Sequence, residues 1–375
     1  MRFKKHFILL TFLIQSLLQT GCNTNNTETH HAKSTQWTPL EVEFATGFKL
    51  FKNNTDFRLD IFDQEQLKQR FYFSENSTED SIIAIPTKRL IVTSTTHITP
   101  LDELNQLDNL IGFPQTNFIS NPNAIDRINS GAIAEIGSSQ QINIEKVLQL
   151  KPDLVMSFNI HGENNQTKLL TDYNIPVLYN GDWTERHPLG KAEWIKVFGL
   201  ITGEIDLSFH QFMAIKKEYN RLKALVENKT DNPLVISGSV YKDQWFIPGG
   251  KSWSAQFITD AGGQYLWGDN ERTESLSISI EQVIQQAMHS DIWIAPGQFT
   301  SYRDLVAVHP LIQQLQPVKD QKVFTYSLTR GANEGVLFFE EATSKPHWVL
   351  KDLIRIFHPD VMEKHRPYFF KNLNP

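Results

Sequence analysis

The feature that most restricts the fold is a phrase used twice. "INIEKVLQLKPDLVMSF" occupies residues 142–158, and "ISIEQVIQQAMHSDIWIAP" begins at Ile278. Each joins a polar cap, a glutamate, an apolar stripe at helical spacing and a short run of β-branched and aromatic residues, which predicts a helix feeding a buried strand. Between the copies, "HQFMAIKKEYNRLKALVE" keeps apolar residues three and four apart, and no comparable helical stretch occurs elsewhere. Two α/β units on either side of one long helix are implied.

The flanking text fits that frame. From Arg89, runs such as "RLIVTST", "NLIGF" and "IPVLYN" alternate with helical stretches; after "TDNP" the alternation resumes with "LVISGSV", "DIWIAPG" and "KVFTY". Strands that alternate with helices pair in parallel, with crossover helices covering both faces of the sheet. Ahead of Arg89, "EVEFATGFKLFKN" and "TDFRLDIFD" alternate apolar and polar residues around Asn-rich turns, which predicts an antiparallel hairpin or meander. The expected fold class is α/β: two similar lobes with parallel-rich sheets joined by one long helix, plus an N-terminal β hairpin extension. Boundaries are expected at 1–21 for an export signal, 22–37 for a flexible tether and 38–85 for the β-rich extension of the first lobe. The first lobe then runs over 86–203, the interlobe helix over 204–228 and the second lobe over 229–375. With 40% hydrophobic residues in 375, two domains of ordinary size can each bury a core.

At the start, Arg2, Lys4 and Lys5 precede the apolar "FILLTFLIQSLL", which falls short of the ~20 residues a membrane-spanning helix needs and reads as a secretory signal. Cys22 is the only cysteine and has no partner for an internal disulfide. The stretch "LLQTGC" resembles a bacterial lipoprotein signal, although Gln19 stands where that signal usually has an aliphatic residue. The resemblance implies that Cys22 becomes an acylated N-terminus, followed by the polar tether "NTNNTETHHAKSTQ". The product would be exported and lipid-anchored, in the periplasm or at the cell surface. The net charge of −6 falls to −9 when Arg2, Lys4 and Lys5 leave with the signal, which argues against a nucleic-acid partner.

Ligands of open α/β sheets bind beyond the carboxyl ends of the strands, so two lobes facing each other through those ends enclose a cleft. Candidates that follow strands are Thr96 and His97, Asn159 and His161, and Trp183 and His187 in the first lobe. In the second they are Tyr241, Trp245, Trp253 beyond the Gly249, Gly250 pair, and Arg330. Aromatic side chains cover a large planar or macrocyclic guest with little loss of rotamer freedom, while Arg330 or Lys242 would meet its anionic oxygens. Trp194, Trp293 and Trp348 lie within apolar patterns and are expected in the core. His97, His161 and His187 have the chemistry to converge on a metal, but a loop histidine is more often a hydrogen-bonding surface residue. "PGGKSW" is not a phosphate loop, because Trp245 stands where the motif requires glycine. H-E-x-x-H and G-x-S-x-G are both absent, so no catalytic residue is assigned.

Over residues 86–359, "KRLIVTST", "NIEKVLQLKPDLVMSF", the single long helix and "SIEQVIQQAMHSDIWIAPG" resemble the substrate-binding proteins of ABC importers for ferric siderophores, haem and vitamin B12. The resemblance implies a monomeric, non-enzymatic protein without an intrinsic cofactor. It would capture a metal chelate between its lobes and pass it to an ABC permease with its ATPase. It also implies that Glu145 and Glu281 dock into arginine pockets of that permease. Read alone, the same residues fit plain helix capping: Asn143 and Ser279 are good N-caps, and a first-turn carboxylate gains about 0.3 to 1 kcal/mol from the helix dipole. Two further readings stand beside the importer: a free zinc, manganese or iron binder of the same architecture, and a chelatase-like metal enzyme.

Overall fold

The computed structural model describes residues 36–75, 79, 81–138, 141–158, 165–242 and 244–375. The export signal, Cys22, most of the tether, Asn159 and His161 lie outside the described residues.

The extension is a five-stranded sheet. Strands Thr38–Pro39, Phe48–Asn53, Asp56–Asp63 and Gln66–Ser74 form an antiparallel meander, and Ile82–Ala84 adds a parallel edge. Alternation explains it: Phe48, Leu50, Phe57, Leu59, Ile61 and Phe73 are buried, while Lys49 and Gln66 are exposed. Gln64 and Glu65, with φ of 47° and 70°, make the two-residue left-handed turn that suits a twisted hairpin. The sheet reaches the first lobe through Gln69, whose Nε2 donates to the Val177 carbonyl at 2.7 Å and whose Oε1 accepts from Tyr179 N at 2.8 Å. One side-chain amide thus continues the ladder of the lobe's edge strand.

The segment joining the first two strands is a strap held by two buried acids. Glu193 accepts from the backbone amides of Glu43, Phe44 and Ala45 and from Lys196 Nζ. Glu185 accepts from the amides of Thr46 and Gly47 and from Trp194 Nε1. A Cβ on Gly47 would lie 2.8 Å from the Trp194 ring, so glycine is what lets the strap approach.

The first-lobe sheet is parallel, in the order Val177–Tyr179, Leu154–Ser157, Leu90–Val92, Leu110–Phe113, Ala134–Glu135. The second runs Gln264–Tyr265, Leu234–Ser237, Ile292–Ile294, Val323–Thr325, with Lys371–Asn372 as an antiparallel edge. A separate antiparallel sheet joins Ser239–Tyr241, Gln244–Ile247 and Leu276–Ser279. The lobes share a layout but not a strand order, which is 3-2-1-4-5 in the first and 2-1-3-4-5 in the second. The repeated phrase has the same task in both. Its strands, Leu154–Ser157 and Ile292–Ile294, lie beside the first strand of their own lobe, where the order reverses.

Helix Ile205–Ala224 connects the lobes, about 30 Å long at 1.5 Å per residue. It buries Phe212, Ile215, Tyr219 and Leu222. It crosses helix Ile195–Thr202 so closely that a Cβ on Gly199 would meet Ser208 Oγ at 2.2 Å. On the second-lobe side, Tyr219 donates its hydroxyl to Asp260 at 2.8 Å, and Lys223 lies 2.7 Å from the same carboxylate. The helix is therefore braced to both lobes, a geometry that favours small rocking over wide hinge opening. Among the described residues no helix is long and apolar enough to cross a membrane.

Candidate functional site

Open α/β sheets bind ligands where strand order reverses, beyond the carboxyl ends of the strands. In the first lobe that point lies after Val92 and Ser157, and a cavity of about 330 Å³ opens there, lined by Thr93, Ser94, Thr95 and Phe158. In the second it lies after Ser237 and Ile294, where Gly238, Ser239, Ala295 and Gly297 line a cavity of about 230 Å³. Phe339 lines both. A third cavity, about 480 Å³, shares Pro248, Trp253, Ser254 and Ser275 with the second and reaches Trp183 and the turn of the extension. The second cavity thus borders each of the other two, and together they line the space between the lobes.

Aromatic rings make the second-lobe wall. Tyr326 stacks on Phe338 with centroids 4.5 Å apart at 12°, and Phe338 in turn meets Trp253, Phe369 and Phe370. Trp253 opens helix Trp253–Asp260, whose N-cap Ser252 accepts from Ala255 N. The Gly249, Gly250 turn leads into it, and a Cβ on Gly250 would lie 2.3 Å from the Asn270 carbonyl.

Two buried ionic groups reach across the lobes. Lys191 of the first lobe donates to the Asp182 carbonyl at 2.9 Å and lies 4.9 Å from the centroid of the Trp253 ring. Burial draws its pKa down to about 8, opposed by Asp182 and Glu185; burial likewise raises Asp182, with Lys191 acting against it. Glu340 of the second lobe accepts the first-lobe Ser120 amide at 2.7 Å through Oε2. Burial pushes its carboxyl up to about 7. Its Oε1 has no hydrogen-bond partner, and Glu340 lines the first-lobe cavity beside Phe339.

A family model described as periplasmic binding protein matches residues 90–327, the span that carries both copies of the repeated phrase, Trp183, Trp253 and the connecting helix, while Phe338, Phe339 and Glu340 lie beyond it. The chain belongs to the periplasmic binding protein family. It is 24% identical over 348 residues to an uncharacterised lipoprotein of Methanocaldococcus jannaschii, covering 88% of this chain and 77% of that one. A shorter match, 24% over 167 residues, is to the vitamin B12-binding protein of Salmonella typhi, covering 44% of this chain and 59% of that one. Among solved structures, a periplasmic heme binding protein from Pseudomonas aeruginosa aligns with a TM-score of 0.59 at 15% identity, over 77% of this chain and 99% of its own. The triscatecholate siderophore binding protein of Bacillus subtilis aligns with a TM-score of 0.55 at 14% identity, over 81% and 99%. The family and these neighbours are solute-binding proteins rather than enzymes.

In this periplasmic binding protein the sequence candidates separate by burial. Trp253 and Trp183 line the cleft, Trp183 held by its Nε1 bond to the Phe158 carbonyl at 2.8 Å. Thr93, Ser94 and Thr95 line it too, but Thr96 does not; its hydroxyl pairs with Ser94 Oγ at 2.9 Å. Trp245 is a correction: it is fully buried, 4.5 Å from the Trp293 ring, because it sits on the inward side of an alternating strand. His97 is another. It is fully buried against Phe198, neither ring nitrogen has a partner, and burial lowers its pKa to about 3, so it presents no face to a ligand or metal. His187 caps a helix, its Nδ1 accepting from Leu189 N, and among the described residues no group of three His, Cys, Asp or Glu is placed to hold a metal. Arg330 spends its guanidinium on the Ser327 and Glu334 carbonyls and lines none of the three cavities; Tyr241 and Lys242 lie exposed on a hairpin outside them. Trp194 and Trp293 are in the core as expected, whereas Trp348 is 37% exposed.

Sequence reasoning missed Tyr326, Phe338, Phe339 and Glu340. The signal for Phe338, Phe339 and Glu340 was "GVLFFE", a dense aromatic run some way past the strand Val323–Thr325, whereas Tyr326 directly follows that strand and reads as its last residue. Glu145 and Glu281 are both exposed, each the second residue of its helix behind caps Asn143 and Ser279. Hydrogen bonds from its own amide and from Ser279 hold the Glu281 carboxyl below its ordinary range.

Proposed function

We propose that this chain is the substrate-binding lipoprotein of an ABC importer, capturing a metal chelate of the ferric siderophore, haem or cobalamin kind between its lobes. The observation that carries this reading is the aromatic cleft at the reversal points of both sheets, broad enough for a planar or macrocyclic guest. Thr95, Trp183 and Trp253 are its proposed contacts, and no intrinsic cofactor is needed. Relatives named for haem, vitamin B12 and a ferric siderophore support the class of guest. Lipidation at Cys22 would anchor the protein to the membrane, in keeping with its lipoprotein relative. Glu145 and Glu281 would meet a permease, and the permease's ATPase would drive release. The free-metal alternative loses His97 to the core and His187 to a helix cap.

Titration of the full chain in detergent with haem, cyanocobalamin and ferric siderophores, read by tryptophan quenching, tests the reading, since Trp183 and Trp253 border the cleft. Saturable quenching by one of these supports it; silence with all of them, with tight zinc binding instead, overturns it. Replacing Glu145 and Glu281 together by arginine is expected to abolish uptake by cells and leave ligand affinity intact. A parallel loss of affinity would place both residues in the ligand site instead.

A further inference from the structure

The cleft has a charge bias that is independent of its shape. Its described lining residues include five carboxyl groups; Glu185 is spent on the strap amides and Trp194, and burial pushes Glu340 up to about 7, which leaves Asp63, Glu65 and Glu274 against a single basic side chain, Arg186. The second-lobe cavity has no charged lining residue at all. The other basic candidates are committed elsewhere: Arg330 to loop carbonyls, and Lys191 beneath Trp253 to the Asp182 carbonyl.

Part of this bias comes from outside the lobes. Phe62, Asp63, Gln64 and Glu65, the turn of the N-terminal extension, line the third cavity opposite Trp183 and Trp253. The turn belongs to a sheet fixed by the Glu185 and Glu193 clamp and by Gln69, so it stands as a permanent third wall. Deeper in, Glu340 is 2% exposed and its Oε1 lacks a partner. A buried oxygen in that state favours a guest that completes its hydrogen bonding.

We infer that the cleft selects its guest by charge, taking an uncharged or cationic chelate with broad apolar faces and rejecting polyanionic ones, with the extension's turn and Glu274 setting the sign at the mouth. The inference rests on the chelate-binding reading above and narrows it. Electrostatic complementarity discriminates mainly by making wrong partners repulsive, and aromatic walls supply affinity with little regard to sign.

The test titrates the full chain with three probes: cyanocobalamin (uncharged), a ferric trihydroxamate monocation and a ferric tris-catecholate trianion. The first two are expected to bind at least ~10-fold more tightly than the trianion, and 1 M salt should shrink the gap for the charged pair. Glu65 and Glu274 are exposed, so the double variant Glu65→Lys, Glu274→Lys is expected to fold and to close the monocation–trianion gap by about fivefold or more, with a smaller shift for cyanocobalamin than for either charged probe. Tighter binding of the trianion by the unaltered protein, or an equal shift of all three probes in the variant, overturns the inference and spares the chelate reading. Failure of all three to bind, and of haem with them, overturns both.

Discussion

The two walls of the cleft are held in place by opposite kinds of force. Beneath the first-lobe wall lie Asp182, Glu185, Lys191, Glu193 and Lys196, none more than 5% exposed. Behind the second-lobe wall lie Tyr326, Phe338, Phe369 and Phe370, ring against ring. Buried ions depend on every partner being present, because removing one leaves the other charged and desolvated. Packed rings depend on volume and yield gradually when volume changes. One wall should therefore break abruptly and the other wear down by degrees.

The largest effect expected is that of Glu193→Ala, which strands Lys196 and frees the amides of residues 43–45. A loss of about 3 to 5 kcal/mol is expected in denaturant unfolding. Adding Lys196→Met should recover part of it, and a single-variant loss under about 1 kcal/mol would remove the contrast. Next, Phe338→Ala should cost about 3 kcal/mol and Phe338→Leu under about 1.5 kcal/mol, the graded response of an apolar wall. Equal losses from the two would mean that the second wall is as brittle as the first.

The smallest effect sharpens the comparison from within the first lobe. His97 keeps two ring nitrogens buried without partners, so His97→Leu should stabilise by about 1 kcal/mol near pH 7. Its folded pKa of about 3 lies below the ordinary 6.5, so between those values the unfolded chain binds the extra proton. That contribution to stability is complete above pH 6.5 and declines as pH falls toward 3. Melting temperatures at pH 7 and pH 5 should differ less in the variant than in the unaltered protein; an unchanged difference would mean that His97 titrates normally.

Which parts of this were legible in the sequence follows from periodicity. The parallel sheets, the meander and the long helix are set by apolar spacing, and all three are present. The difference in strand order between the lobes was not legible, because a strand's place in a sheet depends on the crossover rather than on its own residues. Among tryptophans, Trp253 and Trp245 look alike in the text, both near a presumed strand end. One heads a helix facing the cleft, and the other fills the inward position of a strand whose neighbours Gln244 and Phe246 point outward. A single step in strand register decided between core and wall. Arg330 was misjudged for another reason: its guanidinium satisfies two carbonyls of an irregular loop, a demand that no spacing rule exposes.

The strap over residues 43–47 is gripped chiefly by its main-chain amides, to which Thr46 adds a hydroxyl, Glu43 a carboxylate paired with Lys216, and Phe44 a ring against His187 and Phe212. The amide part of that grip is blind to side-chain identity, so a library randomised at 43 should yield more working proteins than one randomised at 44, where the ring packs on His187 and Phe212, and one randomised at 185 or 193 should yield almost none. The instructions for anchoring this ribbon are stored 138 to 150 positions downstream of it. A graft of foreign peptide into the same groove would need a glycine in the place of Gly47, a free run of N–H groups before it and a ring in the place of Phe44.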